Sequence, residues 1–291
     1  MNIIDGKKLS KNILANIKSE VASLEFQPIF CDVLIGNDPS SVQYVQMKQR
    51  RAESVGIHFH TATFGLSITT EELMKEINIL NNMPNICGII IQLPLPISMD
   101  QKKVLDAIDP MLDVDCLGTI ASTEFYDGKK GLGLPTALAC MAIIDSLDLN
   151  LKDKKIVVLG QGQLVGKPIS TLLTFRGFTS TVVISKTENK EEIIKEADLI
   201  ISGMGKGRYI TGEMIKEGAV LIDAGTSESD SGIIGDIDLD SVKAKASYVS
   251  PVPGGVGPVT VAMLLNNVLT VAKQRVLMKT YINNSNNLNE Q

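Results

Sequence analysis

The sequence contains no tryptophan and only two histidines and four cysteines among its 291 residues. The cysteines are far apart in the chain, at Cys31, Cys87, Cys116 and Cys140. This spacing fits neither a zinc site nor a redox CxxC pair, and a chain of this size does not need a disulfide scaffold, so we expect buried, reduced thiols. His58 and His60 form an HxH pair, but two ligands do not complete a metal site. No metal is predicted, and histidine is not expected to act as an acid or base.

A strong excess of charge of one sign is also missing. Lys and Arg number 28 against 33 Asp and Glu, and this net charge of −5 argues against a nucleic-acid-binding protein. The first residues lack the cationic and apolar regions of a signal peptide. The longest apolar stretch, residues 86–97, is interrupted by glycine, glutamine and proline, and falls short of the ~20 residues of a membrane helix. We therefore expect a cytoplasmic protein with neither nucleic-acid nor membrane partners.

Helix and strand periodicities alternate along the first part of the chain. They predict helices over residues 7–24, 41–55 and 69–82, and strands over 28–35, 57–64 and 86–93. Strands separated by helices pair in parallel through right-handed crossovers. The length suits about two domains, and the irregular, polar segment 109–133 is the predicted crossing between them.

A second alternation follows this segment. It predicts helices over residues 135–147 and 165–175, strands over 155–159, 180–184, 198–202, 219–223 and 247–250, and a long apolar helix from 259 to about 279. The predicted fold is α/β with two domains, residues 1–118 plus 259–282 and residues 119–258, because the last helix returns to the first domain. The Asn-rich residues 283–291 are predicted to be a disordered tail.

A glycine-rich loop, Gly160-Gln161-Gly162 with a further glycine at 166, connects a predicted strand to a predicted helix. Glycines at this place let the backbone approach a pyrophosphate that the helix N-terminus binds, as in Rossmann-like nucleotide-binding domains. The spacing GxGxxxG is one residue longer than the standard fingerprint, and a tight turn without a ligand is the alternative. The next strand ends in Ser185 and Lys186, which favour the 2′-phosphate of NADP over NAD unless Lys186 is only a solvated surface charge.

Tyr44 and Lys48 are four residues apart on a predicted helix and so project from one face. A lysine that is partly withdrawn from water can exchange protons near neutral pH, although an exposed lysine beside a half-buried tyrosine is the simpler alternative. Gln92 ends a buried strand, where ligands of open α/β sheets bind. Residues 250–258 hold three prolines and three glycines, which suit either close approach to a flat ligand or a domain hinge.

These segments together resemble the methylenetetrahydrofolate dehydrogenase/cyclohydrolase family of bifunctional folate enzymes. The matching stretches include YVQMK at 44–48, QLPLP at 92–96, DVD at 113–115, VGKP at 165–168 and, most specifically, PVPGGVGP at 251–258. The resemblance extends over nearly the whole chain in the family's order. It implies oxidation of 5,10-methylenetetrahydrofolate and hydrolysis of the methenyl product to 10-formyltetrahydrofolate, in a homodimer paired through the cofactor domains.

The resemblance also implies the roles of individual residues. Lys48 is expected to be the catalytic lysine, Gln92 to hold its amine, Tyr44 to stack on the aminobenzoyl ring of the substrate, and Asp115 to bind the pterin amino groups. The remaining folate contacts implied are Pro253, Gly254 and Gly255. The implied NADP contacts are Gly160, Gln161, Gly162, Ser185 and Thr226. Lys186, from the chemistry of the strand end, and Thr136 are the other predicted cofactor residues.

Three departures from the family pattern lie in or near the cofactor domain. Gln161 and Gly162 replace the usual Arg-Ser, the family's Pro-Cys-Thr-Pro-x-Gly segment keeps only Thr136, and Cys116 stands in place of a glycine. The lost arginine commonly pairs with the 2′-phosphate. Two alternatives therefore remain: a cyclohydrolase with weak or NAD-dependent dehydrogenase activity, and a folate-binding protein without catalysis.

Overall fold

The computed structural model of the chain describes residues 1–129, 131–230 and 232–289, with side chains described as far as residue 278. The chain divides into two compact units. The six-stranded unit comprises residues 1–12 and 134–263, and the three-stranded unit comprises residues 13–133 and 264–291. Both are α/β with parallel sheets, so the predicted fold class is confirmed.

The three-stranded unit is built on a parallel sheet in the order β3-β2-β4. Its elements are α1 (Gly6–Val21, which begins in the other unit), β2 (Ile29–Ile35), α2 (Pro39–Ser54), β3 (His58–Phe64), α3 (Thr70–Asn81), β4 (Ile86–Ile91), α4 (Gln101–Asp106) and α5 (Thr119–Tyr126). Local chemistry starts the helices: Asp38 caps α2, whose first residue is Pro39, and Thr69 forms a capping box with Glu72 at α3.

Helix α5 lies inside the segment 109–133 that the sequence predicts to be irregular. Only Ala121 and Phe125 of its eight residues are buried, and Gly118, its N-cap residue, makes no side-chain cap. The helix therefore carries neither a clear apolar stripe nor a cap sequence, the two patterns by which sequence predicts a helix.

The six-stranded unit has the strand order β1-β11-β8-β7-β5-β6, and every neighbouring pair is parallel. Its elements are β1 (Asn2–Ile3), α6 (Pro135–Ser146), β5 (Ile156–Leu159), α7 (Gly166–Phe175), β6 (Ser180–Val183), α8 (Lys190–Glu196), β7 (Leu199–Ser202), a 3₁₀ turn (Gly212–Met214), β8 (Val220–Asp223), the antiparallel ribbon β9 (Ser227–Ser229) and β10 (Gly232–Ile234), α9 (Leu239–Val242) and β11 (Tyr248–Val249). Because β1 pairs with β11, residues 1–12 belong to this unit, whereas the sequence predicts a first domain that starts at residue 1.

Backbone amides hold two buried carboxylates beside the carboxyl ends of β7 and β8. Asp223 accepts hydrogen bonds from the backbone N–H groups of Gly225, Asp236 and Ile237. Asp236 in turn accepts from the Ser202 hydroxyl at 2.7 Å and from the N–H groups of the two residues 204 and 206. These bonds fix the loops that follow both strands. Burial raises the pKa of Asp223 to about 6, and its three backbone donors act in the opposite direction.

The C-terminal helix α10 (Val256–Asn289) begins earlier and ends later than the sequence predicts. Residues 283–289, predicted to be a disordered tail, continue the helix; residues 290–291 lie outside the described residues. The stretch Val256–Met278 is long and apolar enough to span a bilayer by length and composition, and 61% of its most apolar window is buried inside the protein. The four cysteines are buried, reduced thiols, as predicted.

Asn267 joins α10 to the rest of the three-stranded unit. Its buried side chain donates to the carbonyl oxygens of Val114 at 2.8 Å and Gly133 at 2.7 Å. Both carbonyl groups belong to the chain segment after β4, and the single Asn267 side chain provides a hydrogen-bond donor to each of them. The predicted return of the last helix to the first domain therefore takes the form of a buried polar contact between residues more than a hundred positions apart.

We expect Asn267→Ala to lower the free energy of unfolding by about 3 kcal/mol, because two buried carbonyls lose their donor. Asn266→Ala is the matched control, since Asn266 is partly exposed on the same helix turn. Urea unfolding of the two variants measures the difference. Equal stability of the two would show that the contact does not hold the helix.

Candidate active site

Lys48 lies inside the three-stranded unit rather than on its surface. It projects from α2, its side chain is 2% exposed, and its Nζ donates to Oε1 of Gln92 at 2.9 Å. Gln92 follows β4 directly, and its own Nε2 donates to the carbonyl oxygen of Leu93 at 2.9 Å. The structure thus brings the predicted lysine and glutamine together and contradicts the alternative of an exposed lysine.

Tyr44 lies one helix turn before Lys48, and its ring contacts the charged end of the lysine side chain. The Lys48 Nζ is 5.0 Å from the centroid of the Tyr44 ring, within cation–π distance. Tyr44 is 40% exposed, so part of its surface is available to a flat ligand. Desolvation raises the pKa of the Tyr44 hydroxyl to about 12, with smaller contributions from the carboxylates of Asp115 and Asp32, and the hydroxyl stays protonated at neutral pH.

Asp115 is a partly exposed carboxylic acid close enough to Lys48 to be affected by its charge. Desolvation raises the pKa of Asp115 to about 7; the Lys48 ammonium lowers it, while the carboxylates of Asp113 and Asp32 raise it further. The next residue, Cys116, has a left-handed φ of 56°. That conformation favours glycine, which explains why the family pattern has glycine at this position. Here a buried cysteine adopts it instead.

Asp32 is a residue of this site that the sequence reasoning missed. Its Oδ2 lies 2.5 Å from Lys48 Nζ, and the side chain is completely buried. One feature could have indicated it: Asp32 is the single charged residue in the strand Ile29–Ile35, whose other residues are apolar. A parallel strand covered on both faces normally contains an uninterrupted run of apolar residues.

Pro253, Gly254 and Gly255 lie in the six-stranded unit, in the loop between β11 and α10. Gly254 has a left-handed φ of 107°, and the N–H of Gly255 donates to the carbonyl oxygen of Pro251 at 2.7 Å. A Cβ at Gly6 would overlap the carbonyl oxygen of Gly255, so this loop packs directly against the first turn of α1. The loop is a tightly packed backbone segment, and its assignment to folate binding stays a prediction.

The geometry of the glycine-rich loop after β5 shows which of its glycines are required by packing. Gly160 has a left-handed φ of 93°, and a Cβ there would lie 2.8 Å from the carbonyl oxygen of Gly203. A Cβ at Gly166, the first residue of α7, would overlap the carbonyl oxygen of Gly160. By contrast, a Cβ at Gly162 would meet nothing within 4 Å. Two glycines are therefore required by packing, and Gly162 leaves backbone open to a ligand such as a pyrophosphate.

Three of the other predicted cofactor residues follow strands of the six-stranded sheet. Ser185 and Lys186 form an exposed turn after β6, and Thr226 is exposed after β8. Because parallel strands end at one edge, these loops and the glycine loop after β5 share that edge, where nucleotides bind in such sheets. Gln161 is exposed in the glycine loop, and Thr136 is partly buried in the first turn of α6. In the described part of the chain, no three His, Cys, Asp or Glu side chains form a group that could hold a metal ion.

Comparison with known proteins identifies both units. The tetrahydrofolate dehydrogenase/cyclohydrolase catalytic-domain model matches residues 4–115, and the model of that family's NAD(P)-binding domain matches residues 135–276. The bifunctional protein FolD of Nautilia profundicola is 40% identical over 277 residues, which cover 94% of this chain and 98% of that protein. The chain belongs to the tetrahydrofolate dehydrogenase/cyclohydrolase family.

Solved structures of this family have the same fold as this chain. The bifunctional enzyme FolD of Campylobacter jejuni superimposes with a TM-score of 0.90 at 35% identity, covering 94% of this chain and 99% of that one. The FolD enzyme of Trypanosoma brucei, solved with NADP cofactor and an inhibitor, has a TM-score of 0.88 at 34% identity, with coverage of 94% and 98%. The dehydrogenase/cyclohydrolase resemblance predicted from the motifs is confirmed.

Gly166 and Gly162, both in the glycine-rich loop after β5, provide a matched test of this packing geometry. We expect Gly166→Ala to lower the free energy of unfolding by about 2–3 kcal/mol, because the new methyl group overlaps a backbone carbonyl that cannot move away. Gly162→Ala should change the free energy of unfolding by less than about 0.5 kcal/mol, because a Cβ there meets no protein atom within 4 Å. It should weaken nucleotide binding, because the new methyl group would occupy the open space in which we expect the nucleotide to lie. Urea unfolding and a fluorescence titration with NADPH measure the two effects. A stable Gly166→Ala variant would contradict the packing argument.

Proposed function

We propose that this chain oxidises 5,10-methylenetetrahydrofolate with NADP and hydrolyses the resulting 5,10-methenyltetrahydrofolate to 10-formyltetrahydrofolate. The observation that carries the proposal is the buried Lys48 whose Nζ is held at 2.9 Å by Gln92, in a chain with both domains of this enzyme family. A protein that only binds folate has no need of a buried, hydrogen-bonded lysine. This feature favours catalysis over the non-catalytic alternative.

Hydrolysis needs a group that moves protons beside the methenyl carbon. A water molecule forms a bond to the amidinium-like methenyl carbon and gives up both of its protons as the formyl C=O forms. One proton ends on the ring nitrogen whose bond to that carbon breaks, and the other goes to solvent. Lys48 is the proposed proton carrier for these transfers. Gln92 accepts a hydrogen bond from its Nζ and so fixes the direction of its remaining donors. Tyr44 is the proposed stacking surface for the aminobenzoyl ring, since the residue is 40% exposed.

Asp115 is the proposed partner of the pterin amino groups. With a pKa of about 7, its carboxyl group is ionised in part of the molecules at neutral pH. Hydrogen bonds from the amino groups of a bound pterin would favour the ionised form, which accepts hydrogen bonds through both oxygens. Pro253, Gly254 and Gly255 are proposed to complete the folate contacts with backbone atoms.

Residues of the six-stranded unit are proposed to hold NADP, which accepts a hydride when bound. Gly162 leaves backbone open for the pyrophosphate, because a Cβ at position 162 would meet nothing within 4 Å. Gly160 is proposed to contact the nucleotide through its own backbone. Ser185 and Lys186 offer a hydroxyl and an ammonium to the 2′-phosphate. The further contacts proposed are Gln161, Thr226 and Thr136.

NAD remains the second candidate nucleotide because of Gln161. A glutamine side chain has neither the charge nor the bidentate geometry of the arginine that commonly pairs with the 2′-phosphate. A cyclohydrolase with weak or NAD-dependent dehydrogenase activity is accordingly the alternative function. We also propose a cytoplasmic location and a homodimer paired through the cofactor domains, with neither nucleic-acid nor membrane partners.

Lys48→Arg tests the cyclohydrolase assignment while keeping a positive charge beside Asp32. We expect methenyl hydrolysis to fall by about 100-fold or more, because a guanidinium does not release its proton near neutral pH. Lys102→Arg, at an exposed position, is the matched control. Decay of the methenyl absorbance measures the rate, and circular dichroism verifies folding. Near-normal hydrolysis by a folded Lys48→Arg protein would contradict the assignment.

Gln161→Arg tests the nucleotide site. In the wild type we expect NADP to be preferred over NAD by about 10-fold, roughly 1–2 kcal/mol. The arginine should tighten NADP and leave NAD nearly unchanged, because only NADP carries the 2′-phosphate. Values of KM for both nucleotides in both proteins provide the measurement. A wild type that prefers NAD contradicts the role of Ser185 and Lys186, and equal tightening of both nucleotides would locate residue 161 at the shared pyrophosphate.

A further inference from the structure

Asp32 occupies a position where a carboxylate is costly. It lies in the middle of β2, the central strand of its sheet, and pairs with Thr61 of β3 on one side and with Ile90 of β4 on the other. Its side chain has no exposed surface. Transferring an ion from water to such a place is strongly unfavourable unless it is paired.

Lys48 is the cation that faces this carboxylate. Its Nζ lies 2.5 Å from Asp32 Oδ2, and both side chains are buried. Within the described residues, neither carboxylate oxygen of Asp32 accepts a hydrogen bond of regular geometry, and its contact with Lys48 is an ion pair at Oδ2. A carboxylate held for structural reasons alone would be expected to use both oxygens, as Asp223 does with three backbone N–H groups. Asp32 instead depends on the proposed catalytic lysine.

The other titratable groups around Asp32 are acids. From α2 it faces Tyr44 as well as Lys48; from the loop before α5 it is influenced by Asp115; and Cys31 precedes it on β2. The pKa values of Tyr44 and Cys31 are both raised to about 12, mainly by desolvation, so both are neutral near pH 7. The charge of Lys48 is therefore balanced chiefly by Asp32, with Asp115 as a partner that titrates.

We propose that Asp32 is a positioning residue: from β2 it holds the Lys48 side chain in place and stabilises its ammonium form. Asp32, Gln92 and the Tyr44 ring then approach the lysine Nζ together, and the lysine keeps one orientation through the proton transfers. This inference rests on the proposed cyclohydrolase function, because it assigns Asp32 a role in the proton exchange of Lys48. Desolvation raises the pKa of Asp32, and the nearby Lys48 ammonium opposes that rise.

The test is the pH dependence of methenyl hydrolysis in Asp32→Asn. Without the carboxylate, the ammonium form loses its counter-ion in a buried place, and the amine form is reached at lower pH. We expect the midpoint of the pH–rate profile to move by about one to three pH units toward acid. KM for the methenyl substrate should stay near the wild-type value, because Asp32 is fully buried and does not reach a substrate.

Asp38→Asn is the matched control. Asp38 caps the same helix by accepting from the Ser41 N–H at 2.8 Å, it is exposed, and asparagine caps equally well. Its profile should superimpose on that of the wild type, and Asp32→Glu should recover most of the shift because it restores the carboxylate. A purely structural role for Asp32 would lower the rate equally at every pH. An unshifted midpoint in Asp32→Asn, or the same shift in Asp38→Asn, would overturn the proposal.

A measurement on the wild type requires no variant to fold. Selective ¹³C labelling reports Lys48 Cε and Asp32 Cγ during a pH titration. Coupled groups show each other's titration steps in both resonances, whereas fully independent curves would overturn the proposal. Failure of the proposed function has a different result: a wild type that does not hydrolyse the methenyl substrate. Hydrolysis that depends on Lys48 with an unchanged Asp32→Asn profile would refute only the role of Asp32.

Discussion

Parallel pairing of strands is the constraint on which the rest of this structure depends. Each strand must be followed by a crossover, the helices of these crossovers cover the sheet faces, and all strands of a sheet end at one edge. In the six-stranded unit this edge collects the loops after β5, β6, β7 and β8. In the three-stranded unit it is where Gln92 leaves β4 and meets Lys48. Side chains from segments far apart in the chain can therefore meet at this edge while the strands themselves stay regular.

Buried carboxylates in the two units are stabilised in different ways. Asp223 and Asp236 accept hydrogen bonds from backbone N–H groups of the loops around them, and these bonds cannot be lost without moving the backbone. Asp32 is paired with a single side chain, the Lys48 ammonium at 2.5 Å. A side-chain pair of this kind responds to the gain or loss of a proton, whereas backbone donors do not. The first arrangement suits a rigid loop support, and the second suits a site where protons move.

In the glycine-rich loop after β5, contacts with backbone atoms explain why two positions must be glycine. Gly160 and Gly166 are required because neighbouring carbonyl oxygens fill the space that a Cβ would occupy. Gly166 begins α7 against the carbonyl oxygen of Gly160, and this contact explains why position 166 is a glycine. Cys116 shows the opposite case: a left-handed φ of 56° is kept by a residue other than glycine, in a buried position next to Asp115.

The alternation of elements, the parallel α/β class and the face shared by Tyr44 and Lys48 were all predictable from sequence, because each depends on spacing within a few residues. The motifs also indicated the family and the Gln92 partner. Asp32 could not be assigned, since its contact with Lys48 requires α2 to pack on one particular face of β2. The pairing of β1 with β11, helix α5 and the extension of α10 to Asn289 were likewise missed. Local periodicity sets which elements form, but contacts between distant segments depend on which surfaces are buried together, and only the tertiary structure decided those.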